Sequence, residues 1–83
     1  MRFQVFVRLK SGVLGVQGKA VERGLHGLGF TGASGVRIGK LIELDVEASD
    51  EESARSQVNE MCTQLLVNTV IESFEVHSIG GGR

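Results

Sequence analysis

The sequence predicts an α+β domain, a two-layer sandwich with two helices on one face of a mostly antiparallel sheet. Three observations predict it. Residues 2–10 alternate apolar and polar side chains with the period of a strand. Residues 50–66 repeat their apolar positions with the period of a helix. A weaker helical stretch and two further extended stretches account for most of the rest. The order is β-α-β-α-β, or β-α-β-β-α-β if the middle extended segment folds back on itself.

In the first strand, Phe3, Val5, Val7 and Leu9 share one face, and Arg2, Gln4, Arg8 and Lys10 the other. Phe6 breaks the pattern. It is either a scattered surface residue or part of a second face that a partner buries. Ser11 to Gly18 is a loop with three glycines. The helix after it carries Ala20, Val21, Gly24, Leu25 and Leu28 on one side, with Lys19, Glu22, Arg23 and His26 opposite. Gly24 and Gly27 each cost about 1 kcal/mol relative to alanine, so tertiary packing must hold this helix. Gly24, on the apolar stripe, would allow close approach to the sheet. Gly29 is placed to stop the helix in the left-handed conformation.

After a loop at 30–35, residues 35–47 form the longest extended segment. Val36, Ile38, Ile42, Leu44 and Val46 keep one parity, with Lys40 the polar member of the set. Two readings stand. Gly39-Lys40 is a tight hairpin turn, or the segment is one strand bent or bulged at Gly39. The unbroken parity and short first arm favour the single strand. About 12 residues of strand would run on the order of 40 Å, leaving an overhanging edge for another chain.

Ser49-Asp50-Glu51-Glu52 reads as a capping box, with Ser49 as N-cap and Glu52 reaching back. Ala54, Val58, Met61, Cys62, Leu65 and Leu66 then mark the buried face of the second helix. Asn68 suits its C-terminus, because asparagine tolerates the left-handed conformation. Residues 70–79 form the last strand, with Val70, Phe74 and Val76 on one face. Residues 1–79 thus make one domain, and 80–83, Gly-Gly-Gly-Arg, a flexible tail.

Composition narrows the function. A chain of 83 residues buries only roughly 60% of the surface its unfolded form exposes and is marginal alone. One cysteine makes no internal disulfide, and no Cys/His cluster is spaced for a metal. Oligomerisation is the remaining source of stability. Nine Lys/Arg against ten Asp/Glu give a net charge of −1, which argues against a nucleic-acid partner, since that needs a basic field. No apolar run approaches the roughly 20 residues of a membrane span. The alternating N-terminus lacks a signal-peptide core, and the single cysteine suits a reducing compartment, so the expected location is cytoplasmic.

No catalytic set emerges either. Cys62 lies on an apolar stripe and reads as a small buried hydrophobe. His26 and His77 are isolated surface histidines. The acidic runs at 43–47 and 50–52 read as a solvated strand face and a helix start. The loop at 12–18 matches neither common phosphate-loop pattern, so no cofactor is expected on this chain.

Several segments nevertheless resemble one family in order and spacing. They are Leu9-Lys10-Ser11-Gly12-Val13-Leu14, Gln17-Gly18-Lys19-Ala20-Val21, Val36-Arg37-Ile38-Gly39-Lys40, Glu60-Met61-Cys62, Leu65-Leu66-Val67-Asn68 and Val70-Ile71-Glu72. Together they resemble PurS, the small-subunit family of phosphoribosylformylglycinamidine synthase in purine biosynthesis. The chain departs from the family's usual Asp-Pro with Gly15-Val16, and has Val67 and Thr69 where Ala and Pro often flank the asparagine. The resemblance implies a non-catalytic subunit of a ligase complex that uses ATP, magnesium and glutamine on other chains. It implies a dimer or tetramer that joins the synthetase subunit PurL to the glutaminase subunit PurQ for ammonia transfer. It also implies interface or motif-shaping roles for Gln17, Gly18, Arg37, Gly39, Lys40, Asn68 and Glu72. Arg37 suits a partner carboxylate, and Gly39 a close backbone approach or a bend. The competing reading is a dimeric regulatory module binding a small molecule through the 12–18 loop.

Overall fold

The computed structural model describes residues 1–79; the tail expected at 80–83 lies outside the described residues. Strand β1 (Arg2–Leu9) is the middle of a three-stranded sheet. It is flanked by β2 (Lys40–Asp45) and β3 (Glu72–Ser78) and is antiparallel to both. Helix α1 (Val16–Gly27) joins β1 to β2, and helix α2 (Glu51–Met61) leads toward β3. The α+β class and the β-α-β-α-β order are those the sequence predicts.

The alternation of β1 sorts its side chains as expected. Phe3, Val5 and Val7 are fully buried. The registers place Leu44 and Ile42 beside Phe3 and Val5 on one side, and Val76 and Phe74 beside Val5 and Val7 on the other. Ala54, Val58 and Cys62 pack onto this face from α2 and the turn after it, and Val46 and Val67 complete the core. Removing these side chains from water is the main force holding the two layers together.

Topology explains why the helices differ. Asp45 at the end of β2 pairs with Arg2, whereas Glu72 at the start of β3 pairs with Leu9. The intervening chain must therefore travel the length of β1, and α2 crosses the sheet to do so. By contrast, β1 ends at Leu9 and β2 begins at Lys40, opposite Val7. That connection starts and finishes at one end of the sheet, so α1 need not cross it.

Accordingly, α1 contributes no side chain to the core cluster. Its one buried residue is Gly18. Leu28 is 76% exposed and Phe30, just beyond the helix, 61%. The expected approach of Gly24 to the sheet does not occur, and a Cβ there would meet nothing within 4 Å. The radius of gyration, 16.2 Å, exceeds the roughly 12 Å of a closely packed chain of this length.

Element ends need correction. α1 begins at Val16, inside the stretch expected as loop, with Gly15 as an N-cap that has no side chain to offer. Its C-terminus is as predicted. Gly29 has φ +99°, Gly29 N–H donates to His26 O (3.0 Å) and Phe30 N–H to Leu25 O (2.9 Å), the two bonds of a Schellman motif. β2 is one strand with no hairpin at Gly39, but six residues long rather than about twelve. The ladder ends at the Val7–Lys40 pair although β1 runs on to Leu9, whose carbonyl accepts from Arg37 Nη2 instead (2.6 Å).

The N-cap of α2 is Asp50, not Ser49; its Oδ1 accepts from Ser53 N–H at 2.8 Å. Beyond Met61 the helix widens into a π turn over Cys62–Leu66, closed by Val67 N–H donating to Cys62 O (2.9 Å). The wider turn breaks the helical spacing. Leu65, expected inside, is 83% exposed, while Leu66 packs against the core and Val67 enters it. β3 starts at Glu72, so Val70 precedes it and is exposed.

Candidate functional site

The exit of β1 and the entries of β2 and β3 converge at one end of the sheet. Cross-strand pairing sets Lys40 beside Val7 and Glu72 beside Leu9, so Lys40 and Glu72 share the face that carries the core. Their side chains meet across the central strand, with Lys40 Nζ 3.6 Å from Glu72 Oε2. Lys40 is exposed and Glu72 half-buried.

Asn68 fixes Glu72 from the other side. Asn68 N–H donates to Glu72 Oε1 (2.8 Å), and Asn68 Oδ1 accepts from Val70 N–H (3.2 Å). Its carbonyl accepts from Ile71 N–H (3.1 Å) and Glu72 N–H (2.7 Å). Asn68 does not take the left-handed conformation expected of a C-cap; no non-glycine residue among those described has positive φ. It works as an Asx turn, satisfying amides that lead into β3.

The glycines act by proximity. Gly39 lies against β1, where a Cβ would sit 2.5 Å from Val7 O. Gly18 lies under the extended segment, where a Cβ would run into Val36 O. Arg37, next along, donates from Nη2 to Leu9 O at 2.6 Å and is otherwise exposed. Gln17 completes the group, lining a hollow of about 300 Å³ with Leu9, Ile38, Gly39, Lys40 and Glu72. The seven residues, scattered over positions 17–72, are thus gathered around one end of the sheet.

Glu22 escaped the sequence reading, which placed it on a polar helix face. Its Oε1 accepts from Val36 N–H at 3.3 Å and ties α1 to the segment before β2. A lone glutamate at helical spacing gives no sign of a partner fourteen residues away. Lys10 and Lys19 stood inside the motif segments without a role; both line a second hollow beside the first.

Little at this end could transform a substrate. The single cysteine is in the core, where burial pushes the Cys62 thiol up, away from the nucleophilic thiolate. His26 Nε2 is 2.6 Å from Ala33 O, and His77 lies on the sheet's other face, 3.2 Å from Glu75 Oε1 and edge-on to Phe6. Among the described residues no group of three or more His, Cys, Asp or Glu could hold a metal. No helix among them is long and apolar enough to cross a membrane. The convergent end offers fixed backbone, the Lys40–Glu72 ion pair and the cationic groups of Lys10, Lys19 and Arg37.

Comparison with known proteins identifies the family. The model of the PurS family, described as phosphoribosylformylglycinamidine (FGAM) synthase, matches residues 2–79. The chain belongs to the PurS family. The PurS subunit of Synechocystis sp. phosphoribosylformylglycinamidine synthase is 50% identical over 80 residues, covering 94% of this chain and 80% of the relative. The crystal structure of Methanocaldococcus jannaschii PurS superposes with a TM-score of 0.84 at 37% identity, covering 92% of each chain. A chain in the PurLQS structure from Thermotoga maritima gives 0.88 at 36% identity, covering 94% of this chain and 95% of that one. Membership carries with it the role of a non-catalytic subunit of the synthase, and the small-molecule regulatory reading is not favoured.

Proposed function

We propose that this chain joins the synthetase subunit PurL to the glutaminase subunit PurQ of a glutamine-dependent phosphoribosylformylglycinamidine synthase, so that ammonia released at one site is used at the other. The observation that carries this reading is the match along nearly its whole length to a chain of the three-component PurLQS structure. ATP, magnesium and glutamine are then used by the larger subunits. Residues 1–79 act as one unit, and the complex works in the cytoplasm.

The geometry supports the reading. The apolar stripe of α1 is left open, which suits a chain that completes its packing against a second copy, as a dimer or tetramer. Gln17, Gly18, Arg37, Gly39, Lys40, Asn68 and Glu72 form or shape an interface at the convergent end of the sheet. Containment supplies the physical benefit. Free ammonia is protonated or lost to solvent, whereas joined sites keep its local concentration high.

The test is reconstitution. Size-exclusion chromatography of the two larger subunits with and without the chain is expected to show one complex only when it is present. Glutamine-dependent amidine formation is expected to rise with it. Unchanged elution together with unchanged activity would reject the proposal.

A further inference from the structure

The second hollow, about 360 Å³, lies between the glycine-rich turn after β1, the start of α1 and the segment that precedes β2. Its charged lining is lopsided. Lys10, Lys19 and Arg37 bring three cations against the single carboxylate of Glu22, whose Oε1 is already engaged by Val36 N–H. Among the described residues, none of the three cations has a carboxylate within 4 Å, although Arg2, Arg8, Lys40 and Arg55 all do. In a chain of net charge −1, three of the four described Lys and Arg side chains without such a partner thus line one concavity, the fourth being Arg23 on the outside of α1. Gly15 caps α1 without a side chain and no acid stands in its first turn, so the positive helix end adds to the same field.

Beside these charges, Ser11 and three glycines, the lining carries apolar side chains. Leu9 and Val36 are half-buried at the base, and Val13 and Leu14 are exposed at the rim. A small inorganic anion would leave this apolar rim in water. An extended peptide with carboxylates beside an apolar side chain would use both parts.

We propose that this hollow is the docking site for an acidic, apolar-anchored segment of one of the larger synthase subunits. This rests on the subunit reading above and deepens it. Lys10 and Lys19 steer and hold the carboxylates. Arg37, anchored by its bond to Leu9 O, presents its remaining N–H groups to them.

The test uses the full chain and the purified larger subunits. Lys10→Glu and Lys19→Glu reverse exposed, unpaired charges and are expected to leave the circular dichroism melting curve unchanged. Each is expected to weaken binding about tenfold or more at low salt, because like charges face each other across the contact. Wild-type binding is expected to fall steeply with added salt. Arg23→Glu makes the same charge change on α1 outside the hollow and is expected to alter affinity by less than about twofold.

Wild-type binding that all three variants share equally overturns this inference alone. So does an equal loss from Arg23→Glu, which would mean a diffuse field rather than a site. A change in self-association without a change in affinity for the larger subunits would make a second copy the occupant and also overturns it. The same holds if the free chain titrates saturably with inorganic phosphate through Lys10 and Lys19 while subunit affinity is unchanged. Failure of the wild-type chain to bind either subunit overturns both this inference and the reading it rests on.

Discussion

Helices α1 and α2 have nearly the same length, 12 and 11 residues, yet only α2 belongs to the core. α2 connects strand ends at opposite ends of the sheet and must cross it, so Ala54 and Val58 are buried. α1 connects two strand ends at the same end, so the fold makes no demand on its apolar stripe. Apolar residues that one element buries in the core are, in the other, left exposed. The same topology draws the proposed contact residues together, because β1 exits where β2 and β3 enter.

The largest expected effect separates the two helices directly. Phe3→Ala is expected to cost about 3–5 kcal/mol in urea unfolding, as a fully buried ring leaves a cavity in the α2 half. Leu28→Ala at the C-cap of α1 is expected to cost less than about 0.5 kcal/mol in dilute solution, with a loss that grows with protein concentration if a second copy covers it. Equal losses at high dilution would show that α1 packs on its own sheet after all.

Glycines sharpen the contrast. Gly39→Ala and Gly18→Ala place a methyl group against Val7 O and Val36 O and are expected to destabilise by about 1–3 kcal/mol. Gly24→Ala faces open space and is expected to stabilise the isolated chain by up to about 1 kcal/mol through helix propensity. Thermal unfolding of the three variants decides the point, and a destabilised Gly24→Ala would contradict an open α1 face.

Smaller effects lie within the α2 half. Asp50→Ala is expected to cost about 1 kcal/mol as a lost N-cap, and Ser49→Ala at most about 0.5. Cys62 is expected to react with a thiol reagent only as the chain unfolds. Its folded pKa is raised, so above the ordinary thiol range the unfolded chain ionises first. The stability Cys62 contributes is therefore intact below that range and declines as the pH rises through it. A reaction rate that does not depend on added urea would contradict this burial.

Much of the fold was legible, because β1 and α2 have one buried face each and a period that reveals it. Errors arose where a local signal had two solutions. Ser49 and Asp50 are both good caps, and only the path of the chain chooses between them. The π turn at 62–66 displaced Leu65 from a face that regular spacing assigned to it. The parity of 36–46 runs unbroken through Gly39, but the chain leaves the edge of β1 before Lys40, and Leu9 O takes the Arg37 side chain in place of a ladder bond. At the candidate site, family resemblance supplied the seven residues, and no spacing could show that Gln17 and Glu72 line one hollow. The unpaired charges of Lys10 and Lys19 became visible only once every other ion pair had a geometry.

The central claim is that this chain acts by assembling larger neighbours. The most direct test is a titration of the chain into fixed amounts of the synthetase and glutaminase subunits, following glutamine-dependent amidine formation. Activity is expected to rise and then saturate at a fixed molar ratio, with no turnover by the chain alone. Turnover by the chain alone, or a full rate reached without it, would contradict the account.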